Sequence, residues 1–228
     1  MTVATERRHA DGWLDSQVAV RQHQAYRPLL EAAHRGQPRL DLEVAAKAVA
    51  ATGLVSPRII EIGCGSGYYG EVLPLLLDAP VRYIGLDYST SMVALARQVY
   101  PRVSVLTGDA CELPFGDASC DILLSGNSLM HIVGYQAAIA ESARVSAGWC
   151  VFHTVPIIVR QETALLQKKA YGADVCEVIF NRTELETLFR GAGLSIEAVW
   201  DSIPYDVAHV IGERSFTLTY LCRKNGQV

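Results

Sequence analysis

Arg58-Ile-Ile-Glu-Ile-Gly-Cys-Gly-Ser-Gly-Tyr-Tyr-Gly70 is the stretch that decides how this chain folds. A short apolar run rich in β-branched residues ends abruptly in glycines, and an amphipathic pattern follows from Tyr68 to Leu77. Such a run reads as a buried strand, a tight turn and the N-terminus of a helix. At that turn, backbone N–H groups and the positive end of a helix can approach a polar or anionic ligand closely. Glycine is needed there because a Cβ would block either the turn or the ligand. The stretch therefore predicts a nucleotide-like cofactor site at the first strand-to-helix connection.

The glycines alone do not name the cofactor. Gly65-Ser-Gly67-Tyr-Tyr-Gly70 formally matches the dinucleotide pattern G-x-G-x-x-G. Two details pull away from it. Gly63 lies closer to the strand than that pattern requires, and Glu61 sits inside the strand end. A carboxylate at that place suits a ligand carrying a cationic ammonium and sulfonium and would repel a pyrophosphate.

Working outward, apolar runs that read as strands recur at 58–62, 82–87, 102–107, 121–125, 149–155, 195–200 and 215–223. Helical patterns lie at 13–36 and 41–53, then between strands near 68–78, 89–99, 135–145 and 182–192. This alternation predicts an α/β fold with a doubly wound, mostly parallel seven-stranded sheet. The last two strands arrive with no helix between them, which predicts an antiparallel C-terminal edge hairpin. Residues 1–55 read as an N-terminal helical extension, and 56–228 as the main domain with an insertion near 156–180.

In such sheets ligands bind at the carboxyl ends of the strands, so the polar residues there can be read as one site. The first strand ends in Glu61 and Gly63. The second, Tyr83-Ile-Gly-Leu-Asp87, ends in a carboxylate suited to accept from two ribose hydroxyls. The third ends in Gly108-Asp109-Ala110, where an Asp can accept from an adenine amino group while the next backbone N–H donates to the ring. The fourth ends in Ser125-Gly-Asn127, close enough to the first turn for a backbone carbonyl to face the cofactor's amino group.

These residues carry a resemblance. Ile60-Glu-Ile-Gly-Cys-Gly-Ser-Gly67, Gly85-Leu-Asp-Tyr-Ser89 with Met92, and Gly108-Asp-Ala110 with Leu113-Pro-Phe115 resemble the class I S-adenosylmethionine-dependent methyltransferases of the seven-stranded, Rossmann-like type, small-molecule branch. Val145-Ser-Ala-Gly-Trp149 departs from the lysine-proline-glycine turn often seen before strand five of that family. The resemblance implies that S-adenosyl-L-methionine is the cofactor, with Glu61, Gly63 and Gly65 at its methionine portion, Asp87 at the ribose, and Asp109 with Ala110 at the adenine. It further implies that Tyr88 or Met92 packs on the adenine face and that Asn127 offers its backbone carbonyl.

The implied reaction is methyl transfer to an oxygen or nitrogen of a small-molecule acceptor. A sulfonium methyl is already electrophilic, so a base is needed only where the acceptor must lose a proton. His131, just after strand four, and His153, at the end of strand five, are the candidate bases, since histidine titrates near neutrality. Acceptor selection is expected in the N-terminal 50 residues and in the insertion, where Tyr68, Tyr69, Tyr171 and Tyr205 are candidate pocket residues beside Arg21, Arg160, Lys168 and Lys169.

Composition narrows the classes further. A net charge of −4 with scattered Lys and Arg gives no electrostatic reason to bind nucleic acid. No segment is apolar enough for a membrane span, and the polar N-terminus lacks a signal peptide's core, so a cytoplasmic location is expected. The six cysteines are scattered singly and read as reduced thiols; no metal constellation is expected. Homodimerisation is left open. Two alternatives to the enzyme reading stand at this point: a non-catalytic S-adenosylmethionine-binding regulatory subunit, and an NAD-dependent oxidoreductase.

Overall fold

Four of the five residues of strand β1 (Arg58–Ile62) are buried. Strand pleating sends alternate side chains to opposite faces, and the molecule has a core on each. Ile60 and Ile62 join one apolar layer, while Ile59 joins the other. A strand covered on both faces must read as a near-continuous apolar run, which is why β1 was so legible. It pairs in parallel with β2 (Arg82–Asp87) on one side and β4 (Cys120–Gly126) on the other.

The structure, a computed structural model, describes residues 11–226. Two helices, α1 (Ser16–His34) and α2 (Leu40–Ala50), precede the sheet. Beyond β2 lies β3 (Ser104–Thr107); beyond β4 lies β5 (Ser146–Ile158), also parallel. On the far side of β5 runs β9 (Phe216–Lys224), antiparallel, with β8 (Leu194–Asp201) paired antiparallel at its outer edge. Helices α3 (Tyr68–Leu77), α4 (Thr90–Val99), α5 (Tyr135–Val145) and α6 (Arg182–Gly191) connect the strands. The chain steps outward from β1 to β3 and then crosses back to β4. The order therefore reverses between β1 and β4, and a ligand crevice is expected at the carboxyl ends of those two strands.

Among the described residues the sheet has nine strands rather than the expected seven. The two additions, β6 (Ala164–Ala170) and β7 (Ala173–Asn181), form an antiparallel hairpin inside the region expected to be an insertion. Its two-residue turn is Tyr171-Gly172, both at positive φ (53° and 86°), the geometry whose twist matches a β-hairpin. The end of β7 joins the sheet through Ile157 and Ile158 of β5. That reach is possible because β5 is longer than the sequence suggests and carries an irregularity between Phe152 and Val155, where Thr154 has φ +55°.

The segment from Trp13 through α1 is held against this hairpin. Trp13, Val18 and Ala19 form one buried cluster with Met92 of α4 and Val175 of β7. Side chains as fully buried as Val18, Met92 and Val175 each contribute about 1.5–3 kcal/mol. Arg21 adds a hydrogen bond, its Nη1 donating to the Tyr171 carbonyl at 2.9 Å. Together these contacts draw α1 and the hairpin over the carboxyl ends of β1 and β4. Among the described residues no helix is long and apolar enough to cross a membrane. All six cysteines are free thiols.

Candidate active site

The loop after β1 is left-handed at Gly63, Gly65 and Gly67 (φ 63°, 54° and 78°). A Cβ on Gly63 would lie 2.5 Å from the Ser128 Cβ, so only glycine lets the loop pass the segment after β4. Ser128 ties the two together, its hydroxyl donating to the Ile62 carbonyl at 2.6 Å. Asp87 holds the other side. Its Oδ2 accepts from the Gly65 N–H at 2.8 Å and its Oδ1 from the Ser89 N–H at 2.9 Å. The carboxylate that ends β2 thus fixes the loop after β1 and the start of α4 at once.

Two adjoining cavities open above this loop. The smaller, about 60 Å³, is lined by Asp87, Tyr88, Met92, Gly108 and Ala110. The larger, about 300 Å³, is lined by Glu61, Tyr68, Tyr69, Thr154, Glu177 and Tyr205 among others. Trp13, Gln22, Gly63, Gly65, Asn127 and His131 line both, forming the boundary between them. The four tyrosines named from the sequence all face the larger cavity, as does Lys168. Lys169 and Arg160 are instead exposed, near Asp174 and Glu213 respectively.

Glu61 is fully buried at the floor of the larger cavity. Its Oε2 accepts from the Tyr83 hydroxyl, while its Oε1 has no hydrogen-bond partner among the described residues. Burial pushes this carboxyl well above the usual carboxylate range, against the Tyr83 hydrogen bond, which lowers it. Gly126 makes room for it, since a Cβ there would sit 2.3 Å from Oε1. A buried acid with one open oxygen fits a ligand that brings a cationic donor, such as the ammonium of an amino-acid moiety.

The other expected residues are distributed as follows. Asn127 has φ +62°, and its side-chain amide donates to the Tyr26 hydroxyl of α1 at 2.9 Å. Ala110 faces the smaller cavity, but Asp109 does not line either; its Oδ1 accepts from the Cys111 N–H at 2.7 Å. Tyr88 and Met92 both face the smaller cavity, with Met92 also in the core cluster under α1. His131 lies at the boundary of the two cavities, its ring 4.8 Å from that of Trp13. Its Nδ1 hydrogen-bonds the Cys176 carbonyl of β7 at 3.0 Å. A carbonyl only accepts, so Nδ1 carries the proton and Nε2 keeps a lone pair. Burial holds the imidazole below its ordinary pKa; Glu177 acts in the opposite sense and Lys168 in the same one.

His153 is placed differently from the sequence expectation of a residue facing the acceptor. It is 1% exposed and does not line either cavity. Nδ1 bonds the Thr219 hydroxyl and Nε2 the Thr154 hydroxyl, each at 2.8 Å. It is Thr154, the residue of the β5 irregularity, that reaches the cavity wall. Burial pushes His153 down to about 4.

Comparison with known proteins places the chain in a family. Residues 60–152 match the family described as a methyltransferase domain. A demethylmenaquinone methyltransferase of Lactiplantibacillus plantarum is 34% identical over 164 residues, covering 60% of this chain and 69% of that protein. The chain belongs to the class I S-adenosylmethionine-dependent methyltransferases. A probable S-adenosylmethionine-dependent methyltransferase of Mycolicibacterium smegmatis is 38% identical over 87 residues, 38% of this methyltransferase and 33% of its relative. The chain thus spans about a third of the length of that relative. In fold, it is similar to the 1,6-didemethyltoxoflavin-N1-methyltransferase of Burkholderia thailandensis, solved with 1,6-didemethyltoxoflavin and S-adenosylhomocysteine bound. That match has a TM-score of 0.57 at 17% identity and covers 91% of this chain and 88% of the other. The family's cofactor, S-adenosylmethionine, displaces the dinucleotide alternative left open by Gly65, Gly67 and Gly70.

Several site residues escaped the sequence reading. Trp13, Gln22 and Tyr26 line the site from α1 and the turn before it, yet carry no motif that marks them. Glu177 did carry a signal. It is the lone charge in the apolar run Val175-Cys-Glu-Val-Ile-Phe180, and a charge in such a run has to be paired or functional.

Proposed function

We propose that this chain methylates an oxygen or nitrogen of a small molecule, with His131 as the base. The observation that carries the reading is the position of His131 at the shared wall of the two cavities, with Nδ1 anchored on a carbonyl and Nε2 unprotonated. The residues fit the cofactor. Glu61, Gly63 and Gly65 would hold its methionine portion, Asp87 the ribose, and Ala110 the adenine edge, with Tyr88 and Met92 against the ring. Bound there, S-adenosylmethionine supplies a methyl group that is electrophilic by virtue of its sulfonium.

The chain itself must add aim, a place for a proton and exclusion of water. Trp13, Tyr26 and Tyr171 line the larger cavity and narrow the poses open to the acceptor. His131 is neutral at pH 7 because burial opposes its charged form, so Nε2 is ready to take a proton from a hydroxyl or amine. Asp109 acts through its turn, fixing the backbone that presents Ala110. His153 is a positioning residue, since both of its nitrogens are engaged and it supports Thr154 from behind. The free thiols support a reducing compartment such as the cytoplasm.

Calorimetric titration with S-adenosylhomocysteine, with NAD⁺ as control, tests the cofactor half. Binding of the first alone is expected, and preference for the dinucleotide would overturn it. Transfer from methyl-tritiated S-adenosylmethionine to a panel of phenols and amines tests the rest. His131→Gln should lower turnover about 10²–10⁴-fold, far more than it changes cofactor affinity. Full activity in that variant would remove His131 from the mechanism.

A further inference from the structure

The larger cavity is lined by a second buried acid besides Glu61. Glu177, on β7, is 1% exposed and lines the cavity. Its Oε2 is pinned by two donors, the Lys168 ammonium at 2.6 Å and the Tyr205 hydroxyl at 2.5 Å. Lys168 also donates to the Tyr205 oxygen at 3.2 Å and lies over that ring, 5.2 Å from its centroid, so the three side chains form one rigid unit. Oε1, by contrast, has no hydrogen-bond partner among the described residues. A buried carboxylate oxygen held in place and left without a donor is a feature that a ligand can complete.

We propose that Glu177 selects the methyl acceptor by accepting, through Oε1, a hydrogen bond from an O–H or N–H of the acceptor other than the group that is methylated. This rests on the reading of the larger cavity as the acceptor site. Lys168 already balances the charge of Glu177, so the partner is a neutral donor rather than an obligatory cation. The preferred acceptors are therefore compact polar molecules with at least two heteroatoms, one methylated beside His131 and one read by Glu177. Acceptors that present only hydrocarbon to this wall would leave Oε1 unpaired, and sites built on such a bond reject the analogue that lacks it.

The geometry of β7 couples recognition to the base. The Cys176 carbonyl orients His131, and the next side chain along the strand is Glu177. An acceptor docked on Glu177 is thereby registered against the same strand that aims Nε2. The hairpin that carries Glu177 and Lys168 adds β6 and β7 to the other seven strands of the sheet and does not include the glycine loop after β1.

The test uses the full chain saturated with S-adenosylhomocysteine and matched fragments that differ in one donor. The probes are resorcinol against 3-methylphenol, 3-aminophenol against 3-methylphenol, and 4-(hydroxymethyl)phenol against 4-ethylphenol, with affinities measured by ligand-observed NMR. The donor-bearing member of each pair is expected to bind at least about tenfold more tightly. The double variant E177M with K168M, which removes the ion pair as a unit, should bring the members of each pair within about twofold while keeping affinity for S-adenosylhomocysteine. E177Q preserves shape if the double variant fails to fold, and should narrow the preference in the same direction. Equal binding within the pairs, no binding by any donor-bearing fragment, or a preference that survives both variants overturns the proposal. If S-adenosylhomocysteine itself does not bind, the cofactor reading falls. If it binds and the donor preference is absent, only the role of Glu177 falls.

Discussion

Acidifying the protein should remove stability that a neutral, buried His153 provides. Its folded pKa is about 4, depressed chiefly by burial; the nearby Asp41 raises it and Arg39 lowers it further. In the unfolded chain the value returns to the ordinary 6.5 or so. Between those two values the unfolded state binds more protons than the folded state, so stability falls as pH falls from about 6.5 toward 4. Each pKa unit corresponds to about 1.4 kcal/mol, so the full span is about 3 kcal/mol, of which about 2 kcal/mol is already lost by pH 5. Urea unfolding followed by tryptophan fluorescence at pH 7, 6 and 5 measures this directly. His153→Gln is the control, since an amide can bond both Thr154 and Thr219 but does not titrate. His131 is present in both proteins, so its own depressed pKa cancels in the difference. The wild type should lose about 2 kcal/mol more than the variant between pH 7 and pH 5. Parallel pH dependences in the two proteins would refute the picture of a histidine held neutral by burial.

Other expectations follow from single contacts. Asp87→Asn should weaken S-adenosylhomocysteine binding by about 1.5–3 kcal/mol by calorimetry, the scale of a lost charge-assisted hydrogen bond; unchanged affinity would remove Asp87 from the cofactor site. For acceptors that must lose a proton, turnover should rise with pH along a limb centred below 6.5, because burial lowers the pKa of His131. A limb centred above that value would point to another base. Gly126→Ala would place a Cβ 2.3 Å from Glu61 Oε1 and 2.7 Å from the Tyr69 ring. Thermal unfolding should then show a loss of about 1–3 kcal/mol together with weaker cofactor binding.

The central sheet was legible because its physics is local. Apolar runs covered on both faces end in glycine or a carboxylate where the chain must turn, and β1, β2 and β4 announce themselves in that way. The hairpin of β6 and β7 did not. In β6 exposed residues alternate with half-buried ones, and Gln167, Lys168 and Lys169 mask its period. Its turn uses Tyr171-Gly172 where asparagine or aspartate before the glycine would have marked it. The left-handed loop after β1 could be read from glycine spacing, whereas the placement of His153 could not. Alternation along β5 gave it a face, but the irregularity at Thr154 shifts which residue reaches the cavity. Glu177 was visible as a charge among apolar residues, yet its partners Lys168 and Tyr205 are brought to it only by the hairpin and by the segment before β9.

Trp13 and Gln22 touch both cavities, and α1 is latched to the hairpin by Arg21 and the Tyr171 carbonyl. With cofactor and acceptor bound as proposed, whatever ordering the helical cap requires on ligand binding is common to the two ligands. The first to arrive leaves less of it for the second, so cofactor and acceptor should tighten each other's binding. Thermodynamic linkage makes that factor identical in both directions. A protein wired in this way favours the ternary complex over either binary one, and after turnover it parts with its two products less readily together than singly.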